Sequence, residues 1–412
     1  MQGIGAGMTN QNRPRLGPNG GKPKRRAASA SRRAAGSGLT AGRIVRRSLL
    51  VLGTALLLAV ISVFTLCAVI ANGPSETIRN QLVLSATQAS ATKWVPGLFL
   101  SREVVDEIVK GSRDTKTDVI PINDYTGETK KPPESGETRG PDETGGDPPA
   151  KDEWEDAIDG MLYKTFSAPN SKVYVLLVKD PSRVYVGVSG DFYNSSTTGK
   201  RVFDMVAQEG CIACINGGEY IDTGGSGNGG QPMGLTFSKG SCVWSDGRTT
   251  NFFGLDQNNK LIVAESMTKD RALQLGIRDS VSFQTGNILI TNDGTSVSLH
   301  YSPENTARSQ RTAIGQRADG TLILLVTDGR TASSLGATHD EVIDMMASLG
   351  AITAGMLDGG SSTMLYYENY YTKYNIDTTY LDTYQLQGLC NKYKAFTKPR
   401  RIPTYFCVAP LS

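Results

Sequence analysis

The chain has 412 residues, 39% hydrophobic and 20% charged, which suits one large folded domain or two smaller ones with appendages. The net charge of +3 hides an asymmetry, because arginines and lysines crowd the N-terminal region and the first acidic residue is Glu76. The remainder of the chain is acidic on balance, so the sequence pI of about 8.4 does not mark the folded part as a nucleic-acid binder.

Residues 1–48 are predicted to be a basic, disordered cytoplasmic arm, and Leu49–Ala71 a transmembrane helix. The second segment carries no charge and is long enough, at about 1.5 Å per residue, to cross a hydrocarbon core of about 30 Å. Arginines stand directly before it, so the positive-inside rule places the N-terminus in the cytoplasm and the C-terminal part outside. We therefore expect a single-pass protein of the cell membrane, whose basic arm lies against anionic lipid and not against nucleic acid. A signal peptide cleaved near Asn72 is the alternative.

The composition changes twice after the apolar segment. Residues 72–111 form a moderately apolar juxtamembrane segment, in which the region from Ser101 to Ile108 predicts a short helix. Residues 112–153 are rich in Pro, Gly, Thr, Glu and Asp without apolar periodicity, so we predict an acidic, solvated linker. Residues 154–412 are then the folded domain.

The folded domain opens with strand-like runs. Residues 200–208 predict a short helix, residues 211–215 a buried strand, and residues 234–245 a hairpin with its turn at Lys239-Gly240. The loop 223–230 is rich in glycine, and we expect a flexible loop or a lid there.

The cysteines and histidines do not predict a redox or metal site. Cys211 and Cys214 lie three residues apart in the predicted strand, so we expect them on opposite faces and without a mutual disulfide. His300 and His339 have no zinc-ligand spacing to the cysteines.

Residues 311–328 predict a β-hairpin. A strand, an Ala-Asp-Gly turn and a second strand follow one another, and we expect Gln316 to oppose Thr321. That register places Arg311 near Val326, close to the end of the second strand at Asp328.

The next residues predict a crossover helix and a further strand. Thr338 followed by Glu341 is a capping-box pattern, an apolar stripe follows, and Gly350 is a suitable helix stop. A strand then ends at Asp358, so strand, helix and strand form a βαβ unit with parallel strands. The predicted class is α+β: a mixed sheet with a βαβ unit and flanking helices, preceded by one transmembrane helix.

Several strands end in the same way, with a short polar side chain followed by glycine. The segments are Asn216-Gly217-Gly218, Asp328-Gly329-Arg330 and Asp358-Gly359-Gly360. Each alone suits an ordinary turn. Because two of them fall at the carboxyl ends of strands in one βαβ unit, where α/β sheets bind ligands, we expect a site there.

The residues near these strand ends suit a sugar and a phosphate. Two carboxylates facing a cleft can divide into a general acid and a nucleophile or base, as glycosidases require. Arginine side chains grip phosphate through charge-assisted hydrogen bonds, and backbone N–H groups and hydroxyls add anion contacts. The substrate-binding candidates are Gly217, Gly218, Glu219, Arg330, Gly359, Gly360, Ser361, Ser362 and His339.

Motifs in this region resemble the phosphodiester glycosidase family. They are INGG at 215–218, Pro-x-Gly at 232–234, RTAIG at 311–315, TDGR at 327–330, GAT-x-x-E at 336–341 and LDGGSS at 357–362. The resemblance implies hydrolysis of a sugar whose anomeric carbon is bonded to a phosphodiester. It also implies a site formed by Asn216, Arg311, Asp328 and Asp358. Members commonly carry an aromatic residue where this chain has Glu219, which alters the wall beside Asn216.

The sequence therefore predicts a membrane-anchored extracytoplasmic hydrolase that acts on a glycosyl-phosphodiester, with a surface glycopolymer as the expected substrate. The predicted catalytic residues are Asp358, Asp328, Arg311 and Asn216, with arginine holding the phosphate and an aspartate activating water or stabilising the transition state. No cofactor is required. A divalent cation held by the aspartates is left open as an alternative, although the sequence has no ligand signature for one. The alternative is a non-catalytic surface protein that binds carbohydrate or assembles exopolysaccharide.

Overall fold

A computed structural model describes residues 41–87, 92–112, 116–126, 153–194, 196–222, 229–331, 334–393 and 398–411. Most of the predicted arm, the central part of the predicted linker and most of the predicted lid (223–228) lie outside these residues. The helices are α1 (Ala41–Asn72), α2 (Glu76–Thr87), α3 (Arg102–Gly111), α4 (Val202–Glu209), α5 (Lys269–Gln274), α6 (His339–Ser348) and α7 (Tyr370–Lys373).

The strands begin at residue 116 and end at residue 408. In chain order they are β1 (Lys116–Pro121), β2 (Met161–Ala168), β3 (Ser171–Val178), β4 (Val184–Val188), β5 (Ala213–Asn216), β6 (Leu235–Ser238), β7 (Ser241–Ser245), β8 (Asn251–Asp256), β9 (Leu261–Ala264), β10 (Ile277–Phe283), β11 (Ile288–Asn292), β12 (Ser296–Tyr301), β13 (Thr312–Arg317), β14 (Leu322–Thr327), β15 (Ala351–Met356), β16 (Leu365–Tyr367) and β17 (Thr404–Val408).

Contacts divide the chain into residues 1–62 and residues 63–412. Within α1, the stretch Gly42–Asn72 has a mean hydropathy of 2.6 and its apolar window is not buried. Of the described helices, it alone is long and apolar enough to cross a membrane. The predicted transmembrane segment is thus a helix, and the side chains of its apolar window are exposed, whereas Ala71 near its C-terminal end is buried.

Three sheets build the folded domain. The largest has the order β1-β12-β11-β15-β13-β14-β3-β2, a second has β7-β6-β10-β8-β9, and a third has β16-β5-β17-β4. The predicted hairpin at 234–245 is confirmed, because β6 and β7 pair around Lys239-Gly240, both with positive φ. Positive φ at both central residues matches the right-handed twist of the flanking strands.

The α+β class and the crossover from β14 through α6 to β15 are confirmed. The large sheet is antiparallel in every described ladder, however, and not mixed, because β13 lies between β14 and β15 and pairs with both. Since both are antiparallel to β13, β14 and β15 still run in the same direction. Their ends therefore share one edge of the sheet, about 10 Å apart at the usual strand spacing.

The predicted hairpin register is wrong by one residue. Gln316 pairs with Leu322, not with Thr321, and Thr312 pairs with Val326. The Arg317 amide donates to the Thr321 carbonyl at 2.9 Å, so the turn is one residue shorter than predicted on that side. Arg311 consequently lies opposite Thr327, a change that matters because a shift of one residue reverses the face on which a side chain lies.

Both faces of the large sheet are buried. Alternate residues such as Ile314, Leu324 and Tyr174 pack in one core with the other sheets. Their neighbours, including Ala313 and Leu325, pack in a second core with the apolar stripe of α6. Each side of β13 and β14 thus leads into a different environment.

The folded domain includes part of the segment that the composition assigns to the linker at 112–153. β1 pairs antiparallel with β12 at the edge of the large sheet. The hydroxyl of Tyr125 then donates to the Ala351 carbonyl at 2.7 Å. The side chains of β1 are mostly exposed, so the sequence of this strand shows no alternation of apolar and polar residues.

Cys211 and Cys214 share a face, contrary to the prediction. The Ile212 amide donates to the Val408 carbonyl at 3.0 Å, although Val408 pairs with Ala213 in the ladder. An extra residue of this kind is a bulge that interrupts the alternation of side chains. All the described cysteines are free thiols.

Candidate active site at the carboxyl edge of the large sheet

Asn216 places the loop that follows β15. Its Nδ2 donates to the Asp358 carbonyl at 2.6 Å, and its Oδ1 accepts from the Thr312 hydroxyl at 2.8 Å and the Met364 amide at 3.0 Å. The side chain is fully buried. These bonds connect β5, β13 and the 358–364 loop, so Asn216 has a positioning role here, and its predicted part in catalysis stays a prediction.

The glycines after Asn216 allow close packing of the chain. A Cβ on Gly217 would lie 2.4 Å from the Thr404 hydroxyl, and one on Gly218 would lie 2.2 Å from the Ser282 carbonyl oxygen. The Asp358 amide also donates to the Gly217 carbonyl at 3.3 Å. Both predicted substrate-binding glycines therefore face neighbouring backbone.

The amides of the glycines after Asp358 also contact groups of the protein itself. The Gly360 amide donates to the Gln310 carbonyl at 2.9 Å, and the Gly359 amide lies against the Asp358 carboxyl and lowers its pKa. A short 3₁₀ turn follows over Gly360–Ser362. The predicted anion contact of these two amides is thus replaced by contacts within the protein.

The Asp358 carboxyl is the most perturbed acid of this edge. Burial, with the charge of Glu219, raises its pKa to about 7, and the Ser362 hydroxyl and the Arg400 guanidinium oppose this shift. A carboxyl that titrates near neutral pH suits proton transfer, since it is available in both forms.

Arg400 lies beside Asp358, and the sequence did not predict it. Its Nη1 lies 3.2 Å from the Tyr220 hydroxyl and 3.3 Å from Asp222 Oδ2. The charge of Asp358 is among the causes that raise the pKa of Arg400. Only the pairing of β17 with β5, close to Asn216, brings this arginine to the site, and no motif letter marks it.

A second chain segment joins Arg400 to the Asp358 loop. The Arg400 amide donates to the Tyr393 hydroxyl at 3.1 Å, and that hydroxyl donates to the Ser361 carbonyl at 2.5 Å. Ser361 thus contacts Tyr393 through its backbone, while the Ser362 hydroxyl lies beside Asp358.

Glu219 is held on both sides by backbone bonds. Its amide donates to the Ser282 carbonyl at 2.8 Å, and its carbonyl accepts from the Met233 amide at 2.9 Å. The Gln284 amide group donates to Glu219 Oε1 at 2.5 Å. The structure therefore brings a second carboxylate to Asp358 at the position where family members commonly have an aromatic residue.

Asp328 lies at the end of β14, on the same edge of the sheet. Its Oδ2 accepts from the Tyr174 hydroxyl at 2.8 Å, and its Oδ1 accepts from the Lys392 amide at 3.0 Å. Burial raises its pKa to about 6, against these hydrogen bonds. Since Lys392 precedes Tyr393, one short segment contacts both Asp328 and the Asp358 loop.

Arg311 faces the other side of the sheet. Its Nε donates to the Ala337 carbonyl at 3.0 Å and its Nη2 to the Ala307 carbonyl at 2.7 Å. Burial and the nearby charge of Arg330 lower the pKa of Arg311 to about 10. Ala337 belongs to the core under α6, whereas Tyr174, the partner of Asp328, belongs to the opposite core.

The remaining predicted residues follow β14 in the chain: Arg330 comes shortly after Asp328, and His339 begins α6. Arg330 is exposed and has a left-handed backbone with φ 54°. His339 is fully buried at the start of α6, with Nδ1 3.3 Å from Asp340 Oδ1. Within the described ranges, no group of three or more His, Cys, Asp or Glu side chains could hold a metal ion.

The fold and these contacts define an α+β domain with a carboxylate-lined site at one sheet edge. Residues 209–409 match the family model of the phosphodiester glycosidases, and the domain belongs to that family. The match begins before Asn216 and ends after β17, so it contains every group described above except Tyr174. The resemblance that the motifs predicted is confirmed.

Comparisons with individual proteins give more distant matches. The SPbeta prophage-derived uncharacterized protein YomE of Bacillus subtilis (strain 168) is 26% identical over 231 residues, which cover 52% of this chain and 31% of that protein. This chain thus spans less than a third of that curated relative.

Two solved structures are also similar. The zebrafish N-acetylglucosamine-1-phosphodiester alpha-N-acetylglucosaminidase catalytic domain, auto-inhibited by its pro-peptide, is 20% identical with a TM-score of 0.46 and coverage of 61% of this chain and 82% of that one. A putative exported protein from Burkholderia pseudomallei K96243 is 15% identical with a TM-score of 0.39 and coverage of 58% and 74%.

Proposed function

We propose that this protein is a membrane-anchored extracytoplasmic glycosidase that hydrolyses a sugar-1-phosphodiester bond in a cell-surface glycopolymer. The family of residues 209–409 supports the reaction class. The observation that carries the proposal is the partly buried Asp358 carboxyl, whose pKa near 7 suits a catalytic proton acceptor at neutral pH.

The reaction breaks the bond between the anomeric carbon and the phosphate oxygen. The ionised Asp358 accepts a proton from water as the water oxygen bonds to the anomeric carbon, and the phosphate leaves with the bonding electron pair. A phosphomonoester is a weak base at that oxygen, so the leaving group needs no proton from the protein. Asp328, with a pKa of about 6, is largely ionised at neutral pH and favours the positive charge of an oxocarbenium-like transition state.

The test compares the wild type with Asp358→Asn on a panel of sugar-1-phosphodiesters that varies the sugar and the aglycone. We expect turnover by the wild type on at least one member and a loss of about 10²-fold or more in kcat for the variant. Asp270→Asn, an exposed residue in α5, is the matched control and should keep full activity.

Thermal melting of both variants checks that they are folded. Glycan binding without turnover on any member by the wild type would favour the alternative, a non-catalytic carbohydrate-binding protein.

A further inference from the structure

The proposed substrate carries a phosphate, and the site needs a cation to bind it. The sequence predicts Arg311 for that role, but its guanidinium bonds to the carbonyls of Ala307 and Ala337, and only 7% of the residue is exposed. Because these carbonyls line the core under α6, Arg311 stabilises the loops before β13 and after β14.

Arg400, unlike Arg311, is close to the Asp358 loop and partly exposed to solvent. Its backbone amide connects through the Tyr393 hydroxyl to Ser361 in the Asp358 loop, and the charges of Arg400 and Asp358 each shift the pKa of the other group as an attractive pair does. Its side chain is 25% exposed, so a ligand in the site can reach it. Tyr220 and Asp222 hold Nη1 at 3.2 and 3.3 Å.

The backbone of Arg400 is fixed to the same loop as Asp358. The chain of bonds from the Arg400 amide to the Tyr393 hydroxyl and on to the Ser361 carbonyl spans 3.1 and 2.5 Å. A guanidinium that is held at both its backbone and its tip loses little conformational freedom on binding, so it is preorganised for an oxyanion.

We propose that Arg400 binds the phosphate of the substrate, and that this site selects a singly charged phosphodiester over a doubly charged phosphomonoester. The assignment rests on the proposed function, in which a sugar-1-phosphodiester is the substrate. A planar guanidinium forms paired charge-assisted hydrogen bonds with two oxygens of a phosphodiester.

The acidic neighbours of Arg400 give the selectivity. The charges of Asp222 and Asp358 act on this arginine, and the charge of Glu219 acts on Asp358. The hydroxyls of Tyr220 and Tyr393 contact the guanidinium and the amide of Arg400. Arg400 attracts the negative charge of a bound phosphate, whereas the neighbouring carboxylates repel it. A doubly charged phosphomonoester is repelled more strongly than a singly charged phosphodiester, so the site favours the phosphodiester. Hydrolysis converts a phosphodiester into a phosphomonoester, so the same charges favour release of the product.

The test measures binding without turnover. Diethyl phosphate and ethyl phosphate are the probes, and the broadening of their ³¹P resonances at pH 8 gives the dissociation constants for the full-length protein. We expect the wild type to bind diethyl phosphate at least about 10-fold more tightly than ethyl phosphate. Arg400→Gln should weaken diethyl phosphate binding about 10- to 100-fold, the range for one charge-assisted contact.

Arg401→Gln is the matched control, because Arg401 is the adjacent arginine and donates to the Gly199 carbonyl at 3.5 Å. It should bind diethyl phosphate as the wild type does. Arg400→Lys keeps the charge, should recover part of the affinity, and guards against misfolding of the glutamine variant.

Equal binding by the wild type and a folded Arg400→Gln variant would overturn the assignment, as would an equal loss in Arg401→Gln. Preference for ethyl phosphate would overturn the selectivity. Since these readouts need no hydrolysis, Arg400-dependent binding without turnover on any substrate would reject the proposed function and leave the phosphate site standing.

Discussion

At the scale of single residues, Glu219 and Asp358 are electrostatically coupled. Glu219 stands where family members commonly have an aromatic residue, and its charge raises the pKa of Asp358. An acid whose pKa is raised stays protonated to a higher pH, so the general base is fully formed only above about pH 7. In the proposed mechanism, Glu219 adds to the effect of burial and raises the pH above which Asp358 is ionised.

Glu219→Gln tests this coupling. For the wild type, kcat/KM should rise with pH through about 7 and level off above it, because the ionised Asp358 is the active form. Removing the negative charge of Glu219 lowers the pKa of Asp358, so the rising limb should move to lower pH. The measurement is the pH profile of kcat/KM on the best substrate of the panel.

If Glu219→Gln acted only through a change of structure, the maximal kcat/KM would fall, but the pH at which kcat/KM rises would stay the same. Gln284→Ala is the companion variant, since it removes the amide that contacts Glu219 Oε1 but keeps the charge. Its limb should stay near that of the wild type. A limb that does not move in Glu219→Gln contradicts the coupling.

The residues also show where sequence reasoning stops. Asp328 and Asp358 could be placed on one edge, because a strand, a capped helix and a strand leave few topologies. The side of the sheet on which Arg311 lies could not be predicted, since an error of one residue in the hairpin register places its side chain on the opposite face. Arg400 could not be found because its proximity to Asp358 depends on a strand pairing between distant parts of the chain.

At the scale of elements, α6 connects the two strands that carry the aspartates. Thr338 accepts from the Glu341 amide at 3.2 Å, and Glu341 Oε2 accepts from the Thr338 amide at 3.0 Å, so the predicted capping box is confirmed. The helix ends before Gly350, whose φ is 84°, as predicted. Local signals of this kind are readable in sequence because each involves residues only a few positions apart.

Thr338→Ala should destabilise the domain by about 1 kcal/mol, because it leaves a helix N–H without its acceptor. Ala337, the preceding residue, accepts the bond from Arg311, so fraying of the first turn also loosens the start of β13. The denaturant midpoint in urea is the measurement.

Thr338→Ser is the control for the cap, since it restores the hydroxyl and should recover most of the stability. The same midpoint in Thr338→Ala and the wild type would show that the cap does not contribute to the stability of this fold.

The elements that sequence did not predict share a physical reason. β1 has exposed side chains and pairs at the edge of the sheet, so it needs no apolar pattern. The bulge near Ile212 is likewise invisible, because it changes the direction of side chains without changing composition. The position of β13 between β14 and β15 follows from hairpin pairing, which a βαβ pattern alone does not reveal.

At the scale of the whole molecule, charge and hydropathy are separated along the chain. Basic residues precede Glu76, and the apolar window within Gly42–Asn72 is not buried in protein. An apolar helix of that length in water would expose a large hydrophobic surface, at about 25 cal/mol for each Å². Insertion into a bilayer would remove that surface from water. The arginines that precede the helix favour an orientation with the N-terminus on the cytoplasmic side.

The full-length protein should therefore sediment with membranes and resist extraction by sodium carbonate, whereas a variant lacking residues 1–72 should be recovered in the soluble fraction. A cysteine introduced at Ser37, before the apolar stretch, should be shielded from a membrane-impermeant maleimide in intact cells, and one introduced at Ser182 should react. Ser182 suits the test because it lies in the folded domain and is exposed. If the full-length gene instead yields a soluble product whose N-terminus lies near Asn72, the apolar segment is a cleaved signal peptide. Labelling of the cysteine at Ser37 but not of the one at Ser182 would show the opposite orientation in the membrane. The expected pattern places the Asp358 site outside the cytoplasm, where a surface glycopolymer can reach it.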